Sequence, residues 1–210
     1  AMLMLYAGLR KGEVGALTWG DINLREGYIK IDKAVEFVCG QPEFKAPKTK
    51  AGIRTVDIPY LLVEYLRVER EKDDCIYVVH TQDGKMLSRT TWRFIWRSYM
   101  KDLNVEFGYT KNARIRLGID PDKKIRKNIP GGLEIIIDTF TPHQLRHTFA
   151  TNCYHAEIPV EVCRDWMGHS NVKTTLNIYT HLDKYYKRRK KTKLDEFFAQ
   201  LNQTSDSESA

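Results

Sequence analysis

Four separated segments of this 210-residue chain carry side chains that could together catalyse phosphoryl transfer. In-line attack on a phosphodiester adds negative charge to the two non-bridging oxygens, and fixed cationic donors stabilise that charge. The segments follow one another as Gly8-Leu-Arg-Lys-Gly-Glu13, Pro47-Lys-Thr49, His143-Gln-Leu-Arg146, and Gly168-His169 with a tyrosine ten residues later. The candidate site residues are Arg10, Lys48, His143, Arg146, His169 and Tyr179.

Each residue type suits a separate part of that chemistry. Arg10 and Arg146 are candidates for phosphate binding because a guanidinium stays charged and can donate two hydrogen bonds to one phosphate. His143 lies three residues before Arg146 on a predicted helix, so both side chains point the same way. His169 follows a predicted helix end and could donate from its ring, although a structural role is the alternative for either histidine. Tyr179 could act as a nucleophile, since a cationic pocket favours its phenolate.

The order of these segments resembles the catalytic domain of tyrosine recombinases, the phage integrase family, and most closely the integrases of conjugative transposons. The resemblance covers about residues 2 to 182. Among 11 tyrosines, the spacing from Gly168-His169 and the intervening Thr174-Thr175 single out Tyr179 as the family's nucleophile. The resemblance implies a site-specific DNA recombinase, an integrase or transposase of a mobile element, which forms a 3′-phosphotyrosyl intermediate. Such a link keeps the bond energy, so no ATP is required.

Two further roles are implied by the resemblance alone. A lysine on the family's β-hairpin protonates the leaving 5′ oxygen, and Lys48 is the first choice because threonine follows it; Lys50 is the second choice. Glu13 completes an Arg-x-x-Glu pattern, which predicts that it holds Arg10 in place. A surface carboxylate is the alternative for Glu13.

No metal or cofactor site is predicted. His143 and His147 are four residues apart, but Gln144 stands where the zinc-protease pattern H-E-x-x-H requires glutamate. No cluster of acidic residues accompanies them, and no G-x-x-x-x-G-K-[ST] pattern for nucleotides is present. The four cysteines are far apart without a C-x-x-C pair, which favours neither a zinc knuckle nor a disulfide framework.

Composition favours a polyanionic partner. Lys and Arg number 34 against 27 Asp and Glu, which gives a net charge of +7. No apolar run approaches 18 residues, so we expect a soluble, cytoplasmic protein with no membrane partner. Double-stranded DNA is the predicted partner. The family resemblance adds a homo-oligomer, a synaptic tetramer on DNA, and accessory DNA-bending or excision factors.

The elements that must position these residues predict an α+β fold, mainly helical with a small antiparallel sheet. Residues 28–31, 34–38 and 54–58 are predicted strands, and 42–52 is predicted as a basic turn between strands. Ser88 or Thr90 should cap a helix that buries an apolar stripe. The stripe consists of Trp92, Ile95, Trp96, Tyr99, Met100 and Leu103.

Residues 1–183 are predicted to form one catalytic domain, with an insertion at about 104–138 that is partly a β-ribbon. A basic and then apolar segment, 184–201, is predicted to be a helix docking on a neighbouring subunit; packing in cis is the alternative. Residues 202–210 are predicted to be a disordered tail. Because the chain opens directly on an apolar helix, we expect the family's N-terminal DNA-binding domains to be missing from this sequence.

Two other functions remain open. A type IB topoisomerase shares the arginine, lysine, histidine and tyrosine constellation and relaxes supercoils without exchanging strands between partners. A non-catalytic DNA-binding module would use a basic helical surface and would not need the candidate residues to converge. Whether those residues come together in the folded chain therefore separates the enzymes from the binding module.

Overall fold

The computed structural model describes residues 1–47, 50–72, 74–120, 122, 125 and 134–180. Helices and two small antiparallel sheets make up these residues, which confirms the predicted α+β class. The helices are α1 (Met2–Tyr6), α2 (Lys11–Ala16), α3 (Tyr60–Arg70), α4 (Arg89–Leu103), α5 (Lys111–Arg116), α6 (Pro142–His155), α7 (Val160–Met167) and α8 (172–180). The strands are β1 (Ile22–Asn23), β2 (Tyr28–Ile31), β3 (Ala34–Val38), β4 (Gln41–Lys45) and β5 (Arg54–Asp57).

The first sheet has three antiparallel strands in the order β1-β2-β5. Ile29 of β2 lies opposite Val56 of β5, and both side chains are fully buried. Side chains alternate between the two faces of a strand, so Arg54 shares the inward face with Val56. The charged side chain of Arg54 therefore lies on the core side of the sheet, where it requires hydrogen-bond partners.

The second sheet is a β3–β4 hairpin, and the prediction of a turn over 42–52 is wrong at its start. Phe37 pairs with Pro42 and Ala34 with Lys45, so residues 41–45 form a strand. Proline removes a ladder donor, which is tolerated on an edge strand, and each strand of a two-stranded sheet has a free edge. Cys39 and Gly40 form the turn, both with positive φ, as a tight hairpin turn requires.

Helix starts follow their capping residues. The Ser88 hydroxyl accepts a hydrogen bond from the Thr91 amide at the start of α4. At the start of α6, the Thr141 amide donates to the Gln144 side chain at 2.7 Å, and Pro142 occupies the first turn. The α4 stripe is only partly buried. Trp92 and Met100 are buried, Trp96, Tyr99 and Leu103 are half-buried, and Ile95 is exposed.

Two apolar clusters flank the site. One joins α1, α2, α3 and the three-stranded sheet, and includes Leu9, Ile29 and Leu62. The other joins α6, α7 and α8, and includes Phe149 and Met167. Helix α1 packs on α6 and α7 packs on β5, so the two clusters meet at the carboxyl end of α7. None of the described helices is long and apolar enough to cross a membrane.

The described start of the insertion is largely helical and residues 134–138 are irregular, so the predicted β-ribbon is not found among the described residues. A π-helical turn (Asn104–Gly108) continues α4, and α5 follows. The buried Asn104 side chain accepts hydrogen bonds from the amides of Ile136 and Ile137 and donates to the carbonyl of Glu134 at 2.8 Å. These contacts, the Asn104 cluster, join the two ends of the insertion. The predicted helix at 184–201 and tail at 202–210 lie outside the described residues.

Replacing Asn104 should destabilise the fold. Asn104→Ala removes three hydrogen bonds, so we expect the free energy of unfolding to fall by about 3 kcal/mol, at roughly 1 kcal/mol for each bond. Urea unfolding measures the loss. Asn112→Ala is the control, because Asn112 is exposed on the neighbouring α5. Equal stability of the two variants, or unchanged hydrogen exchange at Ile136 and Ile137, would show that the cluster does not hold the insertion.

Candidate active site

A cavity of about 460 Å³ lies between the start of α2, the β3–β4 hairpin and the segment after α7. Arg10 and Glu13 line it from one side, and His169 lines it from another. The hairpin contributes Lys45 and Pro47. The cavity therefore brings together residues from three of the four segments from which a phosphoryl-transfer site was predicted.

Three arginines donate hydrogen bonds to the consecutive carbonyls of residues 166–168 at the carboxyl end of α7. Arg54 Nε donates to the first at 2.6 Å, Arg146 Nη2 to the second, and Arg10 Nη2 to the third at 2.9 Å. Arg146 Nη1 also donates to the carbonyl of Gly8. Terminal helix carbonyls have no partner within the helix, and the helix dipole adds negative potential there. The end of α7 thus gathers three positive charges.

Glu13 connects two of these arginines. Its side chain is 5% exposed and accepts from Arg54 through both carboxylate oxygens, each at 2.9 Å. It also accepts from the Arg10 amide at 2.7 Å and from Arg10 Nη1 at 2.9 Å. Burial alone would raise the pKa of Glu13, but the hydrogen bonds and charges of Arg54 and Arg10 lower it. The hydrogen bonds between Arg10 and Glu13 are those expected for a carboxylate that holds Arg10 in place.

Arg10 and Arg146 differ in their exposure. The Arg10 side chain is 41% exposed and lines the cavity, whereas Arg146 is 1% exposed. Burial, followed by the charge of Arg10, lowers the pKa of Arg146. An arginine nevertheless stays protonated at neutral pH. In this arrangement Arg10 is open to the cavity, while the Arg146 guanidinium is bonded to backbone carbonyls.

Gly168 allows the arginines to approach the end of α7. Its φ is +61°, a left-handed conformation that terminates the helix. A Cβ atom at this position would lie 2.8 Å from the Ala51 carbonyl oxygen and 2.8 Å from Arg54 Nη1. Glycine is therefore required both by the backbone conformation and by the space.

His169 is half-buried beside the arginines. Its Nδ1 lies 2.9 Å from the hydroxyl of the buried Thr175. Burial, followed by the charges of Arg146, Arg10 and Arg54, lowers the pKa of His169 to about 4. The ring is thus neutral at pH 7. When the Thr175 hydroxyl donates its hydrogen to Nδ1, the ring proton is on Nε2. Nε2 can then act as a hydrogen-bond donor.

His143 occupies the first turn of α6 on the exposed side. Its ring contacts that of His147 edge to face, with centroids 4.6 Å apart. Burial, followed by the charges of His147, Arg146 and Arg10, lowers the pKa of His143. His143 therefore shares the positive potential of the site, although it does not line the cavity.

Tyr179 lies away from the cavity. It is 9% exposed in the cluster formed by α6, α7 and α8, and its ring packs edge to face on Tyr154 with centroids 5.2 Å apart. Its hydroxyl donates to the carbonyl of Ile158 at 3.2 Å. Burial, and then the neighbouring Cys163 thiol, raise the pKa of Tyr179. In this structure the tyrosine is held as a neutral phenol that bonds a backbone carbonyl and does not line the cavity.

The remaining cationic residues in or near the cavity-lining segments are lysines. Lys48 lies outside the described residues, and the side chain of Lys50 is not described. Lys33 and Lys45, which line the cavity, are paired with Asp21 and with Glu36 respectively. The described residues contain no group of three or more histidine, cysteine or acidic side chains arranged to hold a metal.

Sequence reasoning missed Arg54 and assigned no role to Thr175. A signal for Arg54 was available, because two-residue alternation along β5 places it on the same face as Val56. A positive charge on a core face needs a buried acceptor, which is Glu13 here. Thr175 could be found only from the fold, since its contact with His169 depends on how α8 packs.

The sequence matches the family model of the phage integrase family over residues 1–185. It is 29% identical over 192 residues to "Tyrosine recombinase XerC-like" of Caldanaerobacter subterraneus, covering 86% of this chain and 44% of the relative. It is also 29% identical over 185 residues to "Transposase from transposon Tn916" of Enterococcus faecalis, covering 86% and 41%. The chain thus spans less than half the length of these curated relatives.

Two solved structures share the fold. A Tn1549 transposon integrase in complex with circular intermediate DNA aligns with a TM-score of 0.67 at 20% identity, covering 92% of this chain and 58% of that one. A crystal structure of XerA recombinase aligns with a TM-score of 0.52 at 24% identity, covering 89% and 54%. At these identities the similarity concerns the fold.

Substituting Gly168 should be more damaging than substituting another left-handed glycine. We expect Gly168→Ala to lower the free energy of unfolding by roughly 1–3 kcal/mol more than Gly118→Ala, because overpacking adds to the backbone strain. Gly118 has φ +68° but has open space around a Cβ, so it is the matched control. Urea unfolding of both variants gives the difference. Equal losses would mean that the close approach to Arg54 is unimportant.

The lowered pKa of His169 makes stability depend on pH. An unfolded histidine titrates near 6.5 and folded His169 near 4, so the unfolded state binds more protons between these values. The contribution of neutral His169 is present above pH 6.5 and is lost as the pH falls toward 4. NMR titration should place its pKa near 4.

The same titration can be read from unfolding experiments. His169→Gln should reduce the rise of unfolding free energy between pH 4 and 6.5. His155→Gln, at an exposed position at the end of α6, is the control and should keep that rise. An NMR pKa of His169 above 6 would contradict the burial and charge described for the ring.

Proposed function

Because this chain belongs to the phage integrase family, we propose that it is the catalytic part of a site-specific DNA recombinase, an integrase or transposase of a mobile element. It cuts and rejoins DNA through a 3′-phosphotyrosyl intermediate. The observation that carries the proposal is the convergence of Arg10, Arg146 and His169 at the carboxyl end of α7. Arg10 reaches Gly168 across 158 positions of sequence. A merely basic DNA-binding surface would not require that convergence.

The proposed phosphate site is formed by cationic and neutral donors. Arg10 faces the cavity and binds one non-bridging oxygen, and the Nε2 proton of His169 is available for the same phosphate. Arg146 supplies the second guanidinium, and His143 adds a donor from the start of α6. Fixed donors of this kind stabilise the negative charge that develops on the non-bridging oxygens. In comparable oxyanion sites each donor lowers the free energy of the transition state by about 2.7–4 kcal/mol.

Tyr179 is the proposed nucleophile and Lys48 the proposed general acid. The Tyr179 hydroxyl gives its proton to solvent water as its oxygen attacks phosphorus, the bond from phosphorus to the 5′ oxygen breaks, and Lys48 transfers a proton to that oxygen. A 5′ hydroxyl from a partner strand can then reverse the reaction and displace Tyr179. Lys50 is the alternative proton donor. The proposal needs no nucleotide, metal or organic cofactor.

The resting arrangement must change before this chemistry. The Tyr179 hydroxyl is bonded to Ile158, and the Arg146 guanidinium is bonded to Gly8 and Met167. A phosphate is an anionic acceptor and competes well with neutral carbonyls for a guanidinium. We propose that DNA binding brings Arg146 into contact with the phosphate and that Tyr179 leaves its buried position to join it.

The proposed partner is double-stranded DNA. The net charge of +7 favours a polyanion, and the similar Tn1549 integrase was solved with circular intermediate DNA. Strand exchange between two duplexes calls for several subunits, so we propose a synaptic tetramer in which residues 184–201 dock on a neighbouring subunit. Accessory DNA-bending or excision factors complete the proposal, and the place of action is the bacterial cytoplasm at the nucleoid.

Tyr179 should become covalently attached to DNA. We expect the complete protein to form a denaturation-resistant complex with a nicked duplex taken from the DNA junction beside its gene. Tyr179→Phe should abolish the complex, because it removes the attacking oxygen. The measurement is the shifted band on a denaturing gel. EDTA should leave the complex intact, since arginines and His169 stabilise the phosphate charge.

Tyr99→Phe is the control, because Tyr99 is a half-buried tyrosine on α4 that packs on Trp96. A covalent complex that survives Tyr179→Phe would move the nucleophile elsewhere. Relaxation of supercoiled plasmid without exchange between duplexes would favour the topoisomerase, and DNA binding without any covalent complex would favour the binding module.

A further inference from the structure

Arg54 is a buried arginine that does not line the cavity. Its side chain is 5% exposed, and it is the third arginine at the carboxyl end of α7. Four of its hydrogen bonds go to protein groups, namely both oxygens of Glu13 and the carbonyls of Trp166 and Gly52. A guanidinium has five N–H donors, so Arg54 has little left for a ligand.

The first pair of bonds leads to Arg10. Arg54 forms a bidentate ion pair with Glu13, and the same two carboxylate oxygens accept hydrogen bonds from the amide and the guanidinium of Arg10. Arg10 is the more exposed of the two arginines, with a 41% exposed side chain. A flexible, partly exposed side chain needs a fixed partner to keep one orientation, and Arg54 fixes that partner.

A second bond leads to His169. Arg54 Nε donates to the Trp166 carbonyl at 2.6 Å, three residues before His169 on the chain. The left-handed turn at Gly168 packs so closely on Arg54 that a Cβ there would lie 2.8 Å from Nη1. Arg54 therefore supports the backbone from which His169 projects.

We propose that Arg54 is a positioning residue for DNA cleavage, which orients Arg10 through Glu13 and His169 through the carboxyl end of α7 without touching the phosphate. The inference rests on the proposed function, because cleavage is the reaction that the positioned groups serve. General stabilisation alone is a poor explanation, since a buried ion pair often adds little net stability over apolar residues of similar size. Lysine cannot replace the arginine, because it lacks the planar fork that binds both oxygens of Glu13.

The first test follows the Arg10 side chain without DNA. In Arg54→Lys, the order parameter of Arg10 Nε–H, measured by ¹⁵N relaxation, should fall from about 0.85 to about 0.6 or lower. The Arg10→Lys variant assigns the signal. Arg67→Lys is the matched control, because Arg67 also bonds a carboxylate, Glu64, and a backbone carbonyl, but on the surface of α3.

Glu13→Gln tests the same connection from its other side and keeps the inference testable if Arg54→Lys does not fold. It retains the size of the bridge and removes its charge, so Arg10 should again become mobile. An Arg10 side chain that stays as ordered as in the wild type, in either variant, overturns the inference.

The second test measures cleavage of the nicked junction duplex by the complete protein under single-turnover conditions. Arg54→Lys should slow cleavage by roughly 10- to 100-fold, the range found for residues that orient ligating groups in metal sites, while DNA affinity changes by less than about threefold. In an Arg10→Lys background, adding Arg54→Lys should slow cleavage by a smaller factor than it does in the wild type, because one of the two groups through which Arg54 acts is already altered.

The outcomes separate the two proposals. Full additivity of the Arg10 and Arg54 substitutions, or a loss confined to DNA affinity or thermal stability, overturns the positioning role. Wild-type protein that fails to cleave the duplex counts against the proposed function. The order of the Arg10 side chain then still decides whether Arg54 holds it.

Discussion

The carboxyl end of α7 is the physical constraint around which the site is arranged. A helix that ends inside a protein leaves carbonyl groups without partners and adds the negative end of its dipole. Here the solution uses cations from three distant elements, the start of α2, strand β5 and helix α6. These charges repel one another, and the single carboxylate of Glu13 offsets only part of the repulsion. Burial, and after it the neighbouring positive charges, lowers the pKa values of His169 and Arg146, and a bound phosphate would offset those charges.

In the same arrangement, protein groups already occupy the hydrogen bonds of two proposed site residues, Arg146 and Tyr179. Carbonyl acceptors satisfy Arg146, and the apolar contacts of Tyr154 and its neighbours hold Tyr179. The carbonyls that bind Arg146 are neutral, so a bound phosphate can compete with them for the guanidinium. Under the proposal that Tyr179 is the nucleophile, this resting state is inactive, and we expect cleavage only after DNA binding has released the tyrosine.

Local sequence signals were sufficient for much of the framework. Thr141, Pro142 and Gln144 define the start of α6 through capping alone, and alternation defines β2 and the inward face of β5. These signals act within a few residues, so they survive without knowledge of the tertiary fold. They therefore placed His143 and Arg146 on one helix before the fold was known.

Other features depend on contacts across the chain. Strand β4 was missed because proline disfavours a strand unless its edge is free, and sequence does not show which edges are free. The described start of the insertion is helical, and its Asn104 and Tyr109 side chains bond to the Glu134 carbonyl, 30 and 25 residues later. The buried position of Tyr179 follows from packing of α8 on α6 and α7, which no spacing between residues can report.

The Asn104 cluster also bears on how the chain could change in length. Because it ties residue 104 to residues 134–137, the path into α6 is fixed at the far end of the insertion. Lengthening a closed loop is inexpensive, about 0.6 kcal/mol for each doubling. Evolution or an engineer could therefore vary the connection between residues 120 and 134, or place a reporter there, with His143 and Arg146 kept in register.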